Sequence, residues 1–350
     1  MIKYIGSKRV LLPVICDLVE ATGSSTVLDL FSGTSRVGHA LKKRGKLVTA
    51  NDYNHYAYNL SLTYVRADAR LVRPRVEQVL SELNALPGSP AYFTQVFCEE
   101  SRFFQPHNGE RVDAIRERIN ELPLSPEERA ACIVSLMEAA DRVDSTCGLQ
   151  MAYLKEWSER SYNDLELRVP DMVDGTGWAT QCDAVQYIED HGTGGFDLVY
   201  IDPPYNQHSY LGNYHIWETL ALWDKPEYYG KACKRVDVRT KKSPFNSKRR
   251  ARAAFERIVD GLGSKYVLVS GSNEGFLAVQ EIVEILSEKW EVAVVSVPHK
   301  RYVGAQIGVH NHLGKAVGTK GKTHNVEHLF LAGPGAANAV NQLRDRMRLA

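Results

Sequence analysis

The chain has 350 residues, 44% of them hydrophobic, and its 43 Lys and Arg against 42 Asp and Glu leave a net charge of +1. That length and apolar content support one sizeable core with an insertion, or two modest domains, and the balanced charge lacks the overall basic excess common in nucleic-acid binders. Met1 to Arg9 precedes no apolar run with a small-residue cleavage site, no run approaches the ~18 residues of a membrane span, and the cysteines (Cys16, Cys98, Cys132, Cys147, Cys182, Cys233) form no C-x-x-C pair, so export, membrane insertion, a disulfide framework and a zinc knuckle are not expected, and a reducing cytoplasm is.

Val27 to Phe31 is a short apolar run that opens into Ser32-Gly33-Thr34-Ser35, followed by a helical pattern to Arg44, then Gly45 and a second β-like run, Leu47 to Ala50. This is a βαβ unit. The glycine turn, Phe31 to Gly38, lets backbone approach a ligand, and the helix start offers unpaired N–H groups. By itself such a turn is a weak signal. Asp52 adds weight, because it ends the second strand where a carboxylate can take two ribose hydroxyls; with Tyr53-Asn54 behind it, Asp52 also reads as a turn initiator. Asp29, inside the first strand, is expected beside the ligand with Gly33, or satisfying the amides of the glycine loop.

From Asn59 to about Thr176 the βα rhythm stops. Pro87-Gly88-Ser89-Pro90 is followed by helical patterns, and Ser125-Pro126-Glu127-Glu128 is a capping box with proline at the first helical position. The expected division is a sheet domain over residues 1–65 and 176–335, a mostly helical insertion over 66–175, and a C-terminal tail over 336–350. Gln181-Cys182-Asp183-Ala184 closes another strand, where Asp183 suits an adenine amino group and equally a helix N-cap. Phe196 to Ile201 and Tyr266 to Val269 are continuous apolar runs of the kind buried in parallel sheets; Val292 to Val297 and Leu329 to Leu331 follow, with helical stretches at Tyr214 to Trp223 and Gly275 to Lys289. The fold expected is an open, doubly wound α/β sheet.

Asp202-Pro203-Pro204-Tyr205 follows the run ending at Ile201, at the carboxyl end of a central strand, where ligands bind in such sheets. An exocyclic amine on an aromatic ring is a poor nucleophile because its lone pair is delocalised. The Asp202 carboxylate and the Pro203 carbonyl, accepting its two hydrogens, favour the pyramidal, nucleophilic form. Prolines stiffen the turn that aims them, and Tyr205 offers a ring for stacking on a base taken out of the duplex. The plain reading, a Pro-Pro turn between strand and loop, weakens once the glycine turn and Asp52 stand in the order one sheet requires. Between Lys225 and Arg257 twelve basic residues face three acidic ones, a local net of +9, which leaves −8 for the remainder. Such a run is either a solvated loop or a surface for polyanion. Residues 303–323 are rich in Gly, His and Lys and read as a long loop; His299, His310, His312 and His324 lack a ligand-like partner set, so no metal site is expected.

Lys3-Tyr4-Ile5-Gly6-Ser7-Lys8-Arg9, the turn from Asp29 to Gly38, and Asp202 to Tyr205 resemble, in that order, the three defining motifs of the alpha group of DNA adenine N6 methyltransferases, the Dam-like enzymes. Asp144 to Gly148 with Tyr153-Leu154-Lys155, Ser270 to Glu274, and Glu327 to Leu331 are similar to further family segments, so the resemblance spans most of the chain. It implies a class I, Rossmann-like methyltransferase sheet, S-adenosylmethionine as donor, double-stranded DNA as partner, and a target-recognition role for the insertion. It further implies cofactor contacts from Tyr4, Gly6, Lys8, Asp29, Phe31, Gly33, Thr34, Asp52, Asp183 and Asp202, with Tyr4, Gly6 and Lys8 beside the methionine end. Read without the family, Lys8 is a solvated charge and Ile5 and Val10 anchor the segment. Ser35 departs from the pattern, standing where many members have glycine.

With that resemblance, Lys241, Lys242, Lys248, Arg249 and Arg250 become the expected phosphate contacts. The expected chemistry is direct methyl transfer to adenine N6, site-specific and metal-free. Rivals are methylation of amino groups in RNA and a non-catalytic DNA-binding protein that keeps the fold; protein-glutamine methylation usually has Asn where Asp202 stands. A cognate restriction endonuclease is a partner the resemblance leaves room for, and neither the DNA word nor the oligomeric state is legible.

Overall fold

Short apolar segments assemble the sheet from β1 (Thr26–Asp29), β2 (Leu47–Asp52), β3 (Trp178–Gln181) and β4 (Leu198–Ile201). A separate two-stranded hairpin joins β5 (Tyr228–Tyr229) to β6 (Lys234–Arg235), and β7 (Tyr266–Ser272), β8 (Val292–Lys300) and β9 (His324–Ala332) complete the sheet. The computed structural model describes residues 1–300 and 324–349, so the loop expected over 303–323, with His310 and His312, lies outside the described residues. The strand order is β3-β2-β1-β4-β7-β9-β8. Neighbours from β3 to β7 are parallel, whereas β9 runs antiparallel to both β7 and β8. All of β4 and β7 is buried, as expected of strands covered on both faces. Order reverses at β1, with β2 on one side and β4 on the other, so the carboxyl ends of β1 and β4 flank a crevice at the topological switch point.

The helices are α1 (Leu12–Ala21), α2 (Arg36–Lys43), α3 (His55–Ser61), α4 (Ala69–Asn84), α5 (Tyr92–Thr94), α6 (Pro106–Glu121), α7 (Pro126–Val143), α8 (Ala184–His191), α9 (Tyr210–Asn213), α10 (His215–Leu222), α11 (Lys248–Asp260), α12 (Val279–Ser287) and α13 (Ala336–Leu349). The expected capping box opens α7: the Glu128 amide donates to Ser125 Oγ at 3.2 Å and the Ser125 amide to Glu128 Oε2 at 2.8 Å. α7 is buried nearly all round and forms the axis of the helical insertion. Its apolar cluster, including Phe93, Phe97, Ile115 and Met137, runs on through Tyr56 and Leu60 of α3 and Trp217 of α10. The insertion therefore shares one core with helices that border the crevice.

Two expectations need correction. Over residues 336–349 the expected C-terminal tail is a helix: α13 packs on α1 and β8, burying Ala336, Val340 and Leu343. Val10 does not anchor the N-terminal segment; it is 60% exposed, and Ile2 and Leu11 are the buried anchors.

Candidate active site

A cavity of about 500 Å³ opens at the switch point. Its wall includes Tyr4, Gly6, Lys8, Asp29, Phe31, Gly33, Thr34, Asp52, Asp183 and Asp202, so all ten expected cofactor residues meet in one place. β1 delivers Asp29 and the turn after it, β2 delivers Asp52, and β4 delivers Asp202. Gly33 takes φ of 51°, which glycine adopts without a Cβ penalty, and its amide donates to Asp52 Oδ2 at 2.9 Å. Ser35 takes φ of 58° without being glycine, and its buried hydroxyl pairs with Ser61 at 3.0 Å.

Asp52 fills the second of its expected roles, that of turn initiator. Besides Gly33, it accepts from the Asn54 amide at 2.9 Å and the Asn54 side chain at 3.2 Å, which is a turn-initiating pattern. Three of roughly four acceptor positions on a carboxylate are thus filled, so a pair of ribose hydroxyls would have to displace the Asn54 side chain. Asp183 N-caps α8, with Oδ1 accepting from Val185 at 3.0 Å and Gln186 at 3.2 Å while Oδ2 takes no bond. Asp29 accepts from the Gly38 amide at 3.2 Å through Oδ2. Its Oδ1 is buried without a partner, as is Ser7 Oγ in the same wall. Burial, followed by the neighbouring Asp202, raises the Asp29 carboxyl to about 8 against the opposing bond from Gly38. Buried polar atoms are nearly always paired, so these orphans suit a polar ligand with both donors and acceptors.

The N-terminal segment folds over the cavity. Lys3 ties it to the insertion through Asp144 at 3.1 Å, and the Tyr4 ring lies near-parallel to those of Tyr210 and Tyr214, with centroids 5.0 and 4.5 Å away. Gly6 has φ of 73°, and a Cβ there would meet the Tyr210 hydroxyl at 2.9 Å, so the position admits little else. Lys8 is not the solvated charge a plain reading gives; it is only 6% exposed. Its ammonium donates to the Tyr205 hydroxyl at 2.6 Å and pairs with Asp202 Oδ1 at 3.0 Å and Glu327 Oε2 at 3.4 Å. Burial alone would weaken proton binding by Lys8, but the two carboxylates outweigh it and the ammonium is held more firmly than in water.

The Tyr205 hydroxyl donates to Asp202 Oδ1 at 2.7 Å. Both partners of Asp202 thus end on Oδ1, leaving Oδ2 uncommitted among the described residues in a side chain that lines the cavity. Burial raises the Asp202 carboxyl above its ordinary range, with Lys8 and Tyr205 opposing. Pro204 lines the large cavity and a small adjoining one; Pro203 and Tyr205 line only the latter, with Phe245, Phe255 and Phe276. The Tyr205 ring therefore does not face the main cavity as the sequence leads one to expect, and Lys8 sits 4.7 Å from its centroid. Tyr4, Phe31, Tyr53, Tyr200 and Tyr210 are the rings that share the main wall with Asp202.

The basic segment divides in two. Arg235 is buried by Asp224 and Asp237, and Lys225, Arg252 and Arg257 pair with Glu117, Glu281 and Glu189, so much of the local charge is neutralised internally. Lys241 and Lys242 line the cavity mouth, Lys241 pairing with Asp237 at 3.0 Å. Lys248, Arg249 and Arg250 are exposed in the first turn of α11, which carries no acidic residue. Cations there oppose the helix dipole by roughly 0.3–1 kcal/mol each, a cost that bound anion would remove. Sequence reasoning missed Ser7, Arg36, Tyr210 and Asn246, all in the cavity wall, because no periodicity marks a residue that faces a ligand across a turn. Glu327 belonged to a family segment, but its register opposite Ser272, which sets it near Lys8, depends on the antiparallel β7–β9 pairing.

A parallel sheet with its switch point at β1, a glycine turn, an acidic end to β2 and an acidic-Pro-Pro-aromatic turn after β4 together define a class I methyltransferase. Residues 4–270 match the model of the family described as D12 class N6 adenine-specific DNA methyltransferase, and the chain belongs to that family. It is 29% identical to the type II methyltransferase M.NlaIII of Neisseria lactamica over 93% of this chain and 99% of that one. It is 31% identical to M.FokI of Planomicrobium okeanokoites, over 86% of this chain and 49% of that one. With the modification methylase StsI of Streptococcus sanguinis identity is 29%, over 86% and 48%. The chain thus spans about half the length of the last two relatives and nearly all of M.NlaIII. Among the described residues no helix is long and apolar enough to cross a membrane, and no cluster of His, Cys, Asp and Glu could hold a metal ion.

Proposed function

We propose that this chain transfers the methyl group of S-adenosylmethionine to N6 of an adenine flipped out of double-stranded DNA, at one sequence word. The observation that carries the reading is Asp202, whose Oδ2 takes no internal bond and which lines the same cavity as Asp52 and the glycine turn. When bound, S-adenosylmethionine supplies an electrophilic methyl group. Asp52 and Asp183 would hold its nucleoside, while Asp29 and the N-terminal segment would hold its amino-acid end; the unpartnered atoms of Asp29 and Ser7 fit such a ligand. Asp202 accepts one N6 hydrogen, with the Pro203 carbonyl as second acceptor, and takes up the proton released as the amine is methylated. Lys8 and the Tyr205 hydroxyl fix Oδ1, so the approach is left to Oδ2.

Lys241, Lys242, Lys248, Arg249 and Arg250 hold phosphate beside the opening, and residues 66–175 read the word. Exchanging that segment for a relative's should change the word while adenine remains the methylated base. The relatives' names as type II methylases point to a cytoplasmic modification enzyme with a restriction endonuclease of the same specificity as its partner. Incubation with labelled donor and either duplex DNA or structured RNA tests the reading: label on DNA alone supports it, and label on RNA alone overturns it.

A further inference from the structure

The methyl donor proposed above carries a carboxylate on its amino-acid end, which the acidic side chains of the cavity wall, Asp52, Asp183 and Asp202, would repel. Four cations share the wall: Lys8, Arg36, Lys241 and Lys242. Lys8 is taken by Asp202, Tyr205 and Glu327, Lys241 by Asp237, and Lys242 is exposed on the basic segment. Arg36 differs from all three. It opens α2 directly after the glycine turn and is half-buried, and Nη2 donates to the Ile2 carbonyl at 3.3 Å. Its Nε is buried with no partner, and no carboxylate pairs with Arg36 among the described residues. A guanidinium with an unused buried donor is costly unless something completes it. The Ser7 hydroxyl, on the N-terminal segment that Arg36 grips through Ile2, is a second buried atom without a partner in the same wall.

We infer that Arg36, aided by the Ser7 hydroxyl, binds the α-carboxylate of the methyl donor. This rests on the donor reading above. The planar fork of a guanidinium matches a carboxylate, and the charge-assisted bonds are strongest where water is thin. Asp29 Oδ1, the remaining unpartnered atom of the wall, suits the ammonium of the same amino-acid end. The glycine turn would then be flanked by one group for each charge of that end.

Calorimetry separates the carboxylate from everything else in the ligand. S-adenosylhomocysteine keeps the carboxylate, whereas S-adenosyl-3-thiopropylamine retains the nucleoside, thioether and amine and lacks only that group. Arg36→Gln should weaken S-adenosylhomocysteine by about 10- to 100-fold and leave the amine analogue unchanged, which also shows that the variant is folded. Arg36→Lys keeps a point charge without the fork and should fall between; Ser7→Ala should lose less, again on S-adenosylhomocysteine alone. Should Arg36→Gln fail to fold, Arg36→Lys carries the comparison. An unchanged affinity for S-adenosylhomocysteine, or an equal loss on both ligands, overturns the assignment. Wild-type protein that binds neither ligand overturns the donor reading, and this one with it.

Discussion

The two sides of the cavity hold their charges in opposite ways. Beside the carboxyl end of β4, Asp202 and Lys8 are largely withdrawn from water and locked by short internal bonds. On the segment beyond Lys241, Lys242, Lys248, Arg249 and Arg250 stand exposed without ion-pair partners among the described residues. The first side has accepted the cost of desolvation in advance, which is what aiming a carboxylate at a reacting amine requires. The second has left its charges in water, where they attract polyanion at long range and lose little by exchanging counterions for phosphate. In the proposed reaction chemistry and affinity fall on separate surfaces, and substitutions should separate them too.

The largest effect belongs to the buried side. Asp202→Ala should lower the single-turnover methyl-transfer rate by about 10²–10³-fold while affinity for S-adenosylhomocysteine holds, because its acceptor matters chiefly as N6 becomes pyramidal. Equal losses in rate and cofactor affinity would blur the division. Neutralising Lys241, Lys242, Arg249 and Arg250 together should weaken DNA binding on every sequence, reducing the log-log salt slope by roughly 0.9 for each phosphate that is no longer neutralised. A changed methylation word at constant slope would mean that the exposed side reads bases. Asp52→Ala should cost about 1.5–3 kcal/mol of cofactor affinity by calorimetry, leaving DNA binding as it was.

A separate effect falls on stability and its dependence on pH. Burial first, and Asp202 second, raise the Asp29 carboxyl to about 8, against ~3.9 in an unfolded chain. The folded protein therefore keeps a proton that the unfolded chain gives up, and stability falls as pH rises between those values, at up to about 1.4 kcal/mol per unit from this group. Asp29→Asn should flatten the decline in urea melts between pH 5 and 8. A wild-type protein without that decline would mean that Asp29 is ionised before any ligand arrives.

Local grammar makes much of this legible. The Ser125 capping box, the Gly33 turn and the acidic ends of β1 and β2 are written in neighbouring residues, and each forms as the local pattern dictates. What sequence hides is whatever depends on distant pairing. Lys8 reads as a surface lysine until Asp202 and Glu327, far along the chain, are brought to its ammonium. α13 reads as a tail because its apolar stripe has meaning only against α1 and β8. The neighbours of Tyr205 in sequence point its ring at the cavity, but its hydroxyl bonds to Lys8 and Asp202 hold it to one side.

The central claim is that the uncommitted oxygen of Asp202 directs methyl transfer to adenine N6 at a defined word. Duplex DNA of varied sequence, incubated with the protein and S-adenosylmethionine and then read for modified bases at single-base resolution, tests it most directly. The account predicts N6-methyladenine confined to one word, and its disappearance with Asp202→Ala. Methyl groups on cytosine, or an Asp202→Ala protein that writes the same pattern at the wild-type rate, would contradict it.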